Sequence, residues 1–373
     1  MTLLPIHPMV EDKGRTDVRA GVTAKGTPMK MRNDKLRIVS DTLKSKAKLV
    51  LETRLDGLQS SDDFVVTRDD RKSKGFHKNT LYRKKLTCRY RDDECAYITI
   101  QYAPLGWDKD QPKKALKRGF ICLETSPQHF GPARMNKMLA WLAKPENLGK
   151  MIYGVLATAW ITRVDIALDL YGYSLRDFHV MLEGAKKGVS KVDESGFHRV
   201  RLGSSSSEFY LACYEKIGGN WERLPGEKGE ASLNLAVADS ANFLRIEVRY
   251  QPKTTGRGKV PLSTLWYLKN PLDKVQLYSK DLDFDPRIPD PVREMLLKGK
   301  SIPEAMLAIP GAAKEVRQTR RRIKSWIEEY RIQVFDSQSV WSSWMECVHQ
   351  LGGLGKDRRK PKKHRSSAIS GGS

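Results

Sequence analysis

Ile161-Thr162-Arg163-Val164-Asp165-Ile166-Ala167-Leu168-Asp169-Leu170-Tyr171-Gly172 is the stretch from which the rest of the chain can be read. Successive side chains of a strand point to opposite faces. Thr162, Val164, Ile166, Leu168 and Leu170 therefore share one face, and Arg163, Asp165, Ala167 and Asp169 share the other. That period of two predicts a β-strand with one buried face. The opposite face holds an arginine and two carboxylates around one small alanine. On a single strand, an ordinary solvent face with an ion pair accounts for these charges. A site needs the pattern to recur on neighbouring strands.

The pattern does recur. Phe243 to Tyr250 places Leu244, Ile246, Val248 and Tyr250 on an apolar face and Arg245, Glu247 and Arg249 on a polar one. Phe209 to Lys216 places Tyr210, Ala212, Tyr214 and Lys216 together. If the three strands share a sheet, a tyrosine, a lysine, arginines and carboxylates converge on one surface. Phosphoryl transfer uses those groups: a nucleophile, carboxylates for a metal ion, and cations for the phosphate.

Composition narrows the partner. The 373 residues carry 67 Lys and Arg against 44 Asp and Glu, a net charge of +23. A chain this basic is expected to bind a polyanion, foremost nucleic acid. The five cysteines, Cys88, Cys95, Cys122, Cys213 and Cys347, lack metal-ligand spacing and read as reduced thiols. No apolar run has the length of a bilayer span and no signal-peptide core opens the chain, so a cytoplasmic protein that avoids membranes is expected.

Along the chain, residues 1–35 are charged and aperiodic and read as a flexible basic arm. Residues 36–268 read as one α+β domain with a largely antiparallel sheet and flanking helices. Within it, Asp41 to Leu58 and Arg134 to Ala143 have helical spacing. A further helix is predicted from Ser174 as N-cap, with Leu175, Phe178, Met181 and Leu182 as its stripe and Gly188 as its stop. Leu86 to Tyr90 and Ala96 to Ala103 read as a hairpin, and Gly119 to Thr125 and Arg199 to Leu202 as strands. The basic stretch Arg68 to Lys85, with Lys84 and Lys85 at its end and Phe76 and Tyr82 interleaved, suits a phosphate backbone and unpaired bases. A solvated loop fits it as well. Residues 269–350 read as a helical basic region. There Arg320, Arg321 and Arg322 sit in a strongly cationic helix suited to DNA. Residues 351–373 read as a disordered basic tail.

Three elements in this order resemble the replication initiation factor family of rolling-circle plasmids and filamentous phages. They are Thr162 to Asp169, with Arg163, Asp165 and Asp169; Leu202-Gly203-Ser204 leading to Cys213-Tyr214-Glu215-Lys216; and Leu244 to Arg249, with Arg245 and Glu247. The match covers roughly residues 86–265, and its ordered set is more specific than any single motif. The resemblance implies a site-specific nicking and joining enzyme that starts rolling-circle replication. Tyr214 would attack a DNA phosphodiester, form a 5′-phosphotyrosine link and leave a free 3′ hydroxyl. Lys216, Arg163 and Arg245 would stabilise the phosphate charge. Asp165 and Glu247 would hold the metal, with Asp169 as an outer partner or as a ligand from a bent strand end. The chain has no His-x-His pair among its seven histidines. A carboxylate site favours Mg²⁺ or Mn²⁺.

The implied partner is origin DNA, double- and single-stranded, in a bacterial host. A host helicase and a second copy of the chain are left open as further partners. Two other functions stay open on the sequence alone. One is a conjugative relaxase with the same chemistry; the other is a non-catalytic nucleic-acid-binding protein, which the charge fits equally well. Two features of the strands carry expectations of their own. Nearby cations should lower the Tyr214 pKa. Asp165 and Asp169, four residues or roughly 13 Å apart on a regular strand, should not share one ion.

Overall fold

The computed structural model describes residues 18–41, 45–70, 82–104, 119–192, 198–218, 241–252 and 259–355. The strand read first is β7 of a large sheet, and the chain reaches it in the following order. Strands β1 (Val18–Val22) and β2 (Pro28–Ser40) come first, then helix α1 (Ser45–Gly57). Strands β3 (Phe64–Asp70), β4 (Tyr82–Tyr90), β5 (Tyr97–Pro104) and β6 (Ile121–Thr125) precede helices α2 (Pro132–Leu142) and α3 (Met151–Ala157). Strand β7 spans Trp160–Tyr171. It is followed by β8 (Phe178–Leu182), β9 (Gly188–Val192), β10 (His198–Leu202), β11 (Phe209–Gly218), β12 (Ala241–Tyr250) and β13 (Val260–Pro261).

Twelve strands form one sheet in the order β3-β4-β5-β6-β2-β7-β12-β11-β10-β9, with β1 added on β2 and β13 on β7. Every pairing in it is antiparallel. The expected α+β class with a largely antiparallel sheet and flanking helices is the class observed. Strand β7 lies between β2 and β12, and Val164, Ile166, Leu168 and Leu170 are fully buried on its apolar face. Helix α2 turns Met135, Met138, Leu139 and Leu142 into the same core.

Two of these expectations need correction. Residues 18–35 are not an arm; they form β1 and most of β2, next to β7 at the middle of the sheet. Residues 1–17 lie outside the described residues. The register of β2 slips between Asn33 and Lys35, so that Asp34 is an extra residue in the strand. Such a bulge interrupts the alternation by which a strand is recognised. The predicted helix after Ser174 is instead strand β8. Phe178, Val180 and Leu182 alternate inward, and the spacing of Leu175, Phe178 and Met181 imitates a helix only by coincidence.

The region after residue 268 is helical but not separate. It contains β14 (Val275–Ser279), helices α4 (Asp290–Leu297), α5 (Ile302–Ala305) and α6 (Ala313–Ile327), β15 (Arg331–Ile332), and helices α7 (Ser337–Trp341) and α8 (Trp344–His349). Strands β15, β14 and β8 form a second sheet of three. Residues from Tyr278 to Ile327 build a second core of their own. The chain then returns to the first core through Val340, Trp344, Val348 and Leu351. Trp344 Nε1 donates to the Leu265 carbonyl at 2.9 Å, and Gly353 N donates to Asn136 Oδ1 at 2.6 Å. Residues 351–355 are thus packed rather than part of a tail; residues 356–373 lie outside the described residues. No helix among the described residues is long and apolar enough to cross a membrane.

Candidate functional site

Strand register assembles the site. Asp169 on β7 faces Arg245 on β12, which faces Tyr214 on β11, which faces Arg199 on β10. One step along, Ala167, Glu247 and Ala212 form a row; one step further, Asp165, Arg249 and Tyr210 form another. Side chains opposite one another in an antiparallel pair sit roughly 4.5–5.5 Å apart. Small alanines therefore flank Glu247 on both neighbouring strands. The three strands read from the sequence do converge.

The polar face is not solvated. Asp165 is 1% exposed, Asp169 0% and Arg245 3%. Buried charge requires partners, and the rows supply them across strands. Arg245 Nε and Nη2 donate to the two oxygens of Asp169 at 2.6 and 2.8 Å, and Arg32 of β2 adds a third contact at 3.1 Å. Asp165 accepts from Arg163 Nε at 2.8 Å, from Arg163 Nη2, and from Arg249 Nε at 3.2 Å. Burial disfavours the Arg245 charge, but its bonds to Asp169 outweigh burial and keep the guanidinium firmly protonated. Arg163 is held protonated in the same way by Asp165.

Tyr214 donates its hydroxyl hydrogen to Glu247 Oε2 at 3.1 Å. Contrary to expectation, the Tyr214 pKa is raised. Burial is the largest cause, and the Glu247 and Asp34 carboxylates add to it; Arg245 opposes them without prevailing. Of the cations counted on from the sequence, Arg163 is held by Asp165 and Arg245 by Asp169. Glu247 is also pushed up, first by burial, then by Asp34 and Asp165. A hydroxyl bonded to a carboxylate of raised proton affinity is the arrangement of a nucleophile and its general base.

Sequence reading missed Asp34, Arg32 and Gln128. Asp34 protrudes at the β2 bulge, accepts from Gln128 Nε2 at 2.6 Å and lies 3.6 Å from Arg245 Nη1. The alternation Met29, Lys30, Met31, Arg32 was a usable strand signal, cut short by the bulge. Beside it, Asn33 is 3% exposed with neither side-chain polar atom hydrogen-bonded, a cost the bulge imposes. Glu215 points to the opposite face, as alternation requires, and accepts from the backbone N–H groups of Leu175 and His198.

The other candidates are placed less centrally. Lys216 belongs to β11, and its side chain lies outside the described residues. Lys84 is bonded to Glu52 at 2.9 Å and Asp56 at 2.7 Å, so its charge is spent within the fold. Lys85 lines a small hollow with Glu94 and Glu124. On α6, Arg320 donates to the Met306 carbonyl, while Arg321 and Arg322 are exposed. The middle of the stretch Arg68 to Lys85 lies outside the described residues.

The ligand set Asp165, Asp169 and Glu247 does not fit one metal ion. Both oxygens of Asp169 and both of Asp165 already accept from arginine, and a dication there would sit against guanidinium charges. Among the described residues, no three His, Cys, Asp or Glu side chains are grouped to hold a metal. Glu247 and Asp34 are chemically suited: they are oxygen donors whose mutual repulsion an ion would relieve.

No protein-family model and no curated protein matches the chain. Among solved structures, the chain is similar to a rolling circle replication initiator protein from Geobacillus stearothermophilus, with 15% identity, covering 60% of this chain and 74% of that one, at a TM-score of 0.30. At that score the likeness carries neither fold nor function to this chain.

Proposed function

We propose that the chain is a site-specific DNA-nicking and joining enzyme that initiates rolling-circle replication, working through a 5′-phosphotyrosine intermediate. The observation that carries this reading is the Tyr214 hydroxyl bonded to Glu247 at 3.1 Å on a face of anchored arginines. A half-buried strand tyrosine with only a packing role needs no carboxylate partner of raised proton affinity.

In the proposed step, the Tyr214 oxygen attacks the phosphorus of the scissile phosphodiester as its proton passes to Glu247. The bond from phosphorus to the 3′ oxygen breaks, and that oxygen takes a proton from water to become the free 3′ hydroxyl. The DNA 5′ phosphate stays on Tyr214, and reversal of the step rejoins the strand. Arg245 and Arg249 are held by their carboxylates in fixed positions, so they need little reorganisation when charge develops on the phosphate. A divalent ion held by Glu247 and Asp34 would supply a Lewis acid for the phosphate oxygens and offset the carboxylates that keep Tyr214 protonated.

Two results test the residues assigned. Titration with Mn²⁺ should show uptake weakened by Asp34→Asn and by Glu247→Gln, and left near the parent value by Asp165→Asn. Metal affinity unaltered in the first two variants removes that assignment. The second test is the pH dependence of cleavage. A general base works only when deprotonated, so cleavage should fall as pH drops through the Glu247 pKa. Burial and neighbouring carboxylates raise that value in the metal-free protein and a bound dication lowers it, so the acidic limb should move to lower pH as Mn²⁺ is raised. Asp34→Asn removes one of the raising charges and should move the limb to lower pH. A limb unaffected by Asp34→Asn argues that another group titrates.

A further inference from the structure

A second feature lies outside the Tyr214 site. A cleft of about 830 Å³ opens between strands β8 to β10 and the segment from Lys280 to Ser301. Phe178 and Val180 are among its apolar lining residues. Six cations line it: Arg176, Lys191, Arg199, Lys280, Lys298 and Lys300. Asp283 is the one acid among the lining residues described, and it is occupied, with His179 Nε2 at 2.5 Å from its Oδ1. Lys298 has a carboxylate neighbour in Glu294 at 3.7 Å, but both side chains are about two-thirds exposed. Such a pair holds its lysine weakly.

Two large apolar side chains stand open at this cationic cleft. Phe284 is 71% exposed and Leu297 58%. The Phe284 ring is therefore open to a ligand beside the lysines of the cleft. Its size and composition exclude a purely apolar ligand, because cations dominate the lining. They match what unpaired nucleic acid needs: an aromatic side chain for a base to stack on and cations that follow the backbone. The cleft is also connected to the first site. Arg199 lines it, and the same guanidinium lies 5.9 Å from the centre of the Tyr214 ring.

We propose that this cleft holds single-stranded DNA, with one unpaired base stacked on Phe284 and the flanking phosphates on Lys191, Lys298 and Lys300. The choice of DNA rests on the function proposed above; the stacking and phosphate contacts rest on the cleft alone. A strand leaving it passes Arg199 on the way to Tyr214. The cleft thus grips DNA beyond the scissile phosphate, so that a cut strand remains on the protein until it is rejoined.

The test is fluorescence anisotropy of the full chain with a labelled oligothymidylate and chelator present, so that binding is read without cleavage. Phe284→Ala should weaken binding roughly 5- to 150-fold, the range alanine substitution of a stacking residue gives. Phe284→Trp should restore it or exceed it. Because Phe284 is largely exposed, neither change disturbs a core, and circular dichroism checks that the fold is kept. The double variant Lys298→Ala/Lys300→Ala should reduce the slope of log K against log salt by about 1.4, or about 0.7 for each phosphate contact on single strands. An oligothymidylate affinity unchanged by Phe284→Ala overturns the proposal, as does an unchanged salt slope in the double variant. Tighter binding of the matching oligouridylate overturns the assignment to DNA. Covalent adduct formation by Tyr214 is a separate readout, so either proposal can fail while the other stands.

Discussion

Tyr214→Phe is expected to bind origin DNA like the parent and to form no covalent adduct with it. The substitution removes one oxygen and keeps the ring. The lost hydrogen bond to Glu247 is worth about 1 kcal/mol net in a typical case, too little to unfold the sheet. Arg245, Arg249 and the cations of the cleft are untouched, so DNA affinity should hold. Chemistry should not, because no atom remains to take the phosphoryl group; nicking and rejoining should fall together by roughly a thousandfold or more. The measurement is nicking of supercoiled DNA, with trapping of a protein–5′-DNA adduct on a single-stranded oligonucleotide. A nuclease that activates water would keep cutting, and cleavage by Tyr214→Phe at the parent rate would refute the covalent mechanism. Tyr210→Phe is the control. Tyr210 lies on the same strand face, opposite Arg249, but four residues back or roughly 13 Å along the strand. It should behave like the parent.

What could be read from the sequence followed the regularity of the strands. Strands β7, β11 and β12 alternate without interruption, so their faces, and the residues on them, were visible. Strand β2 was not, although it lies beside β7. The bulge at Asp34 breaks its period, and Lys30, Arg32 and Lys35 made its first part look like a solvated arm. With β2 went Asp34, a carboxylate that adds to the effect of burial in raising the pKa of both Tyr214 and Glu247. Strand β8 was misread because a short apolar run fits period two and period 3.6 equally. The electrostatics were harder still. Alternation shows that Arg163 and Asp165 share a face, but whether a given arginine serves a phosphate or a carboxylate depends on cross-strand register. Arg245 pairs with Asp169, 76 residues away, and its lowering effect on Tyr214 is outweighed by burial and by Glu247 and Asp34. Lys84 repeats the lesson on the surface: a basic run pointed to DNA, yet its charge meets Glu52 and Asp56 on α1.

Asp169→Ala should produce the largest loss of stability of any single change at the site. Asp169 is fully buried, and its two oxygens hold Arg245 at 2.6 and 2.8 Å and Arg32 at 3.1 Å. Removing the carboxylate leaves Arg245, itself 3% exposed, with only the longer 3.6 Å contact to Asp34 to balance its charge in the interior. Breaking a buried pair from one side costs about 3–5 kcal/mol, a large share of a typical total of roughly 5–15 kcal/mol. The loss should appear as a lower urea midpoint with little change in slope. Salt distinguishes this pair from surface ones: a buried pair is poorly screened, so 0.5 M NaCl should leave the difference between parent and variant nearly intact. Replacing both charges, in Asp169→Leu/Arg245→Met, should recover part of the loss, because the cost comes from the stranded charge rather than from the missing bond. Arg32 loses its 3.1 Å contact with Asp169 in that double variant, so recovery should be incomplete. A single variant less than about 1 kcal/mol below the parent would mean that Arg245 finds another counter-charge, and Asp34, 3.6 Å from its Nη1, is the carboxylate placed to supply it.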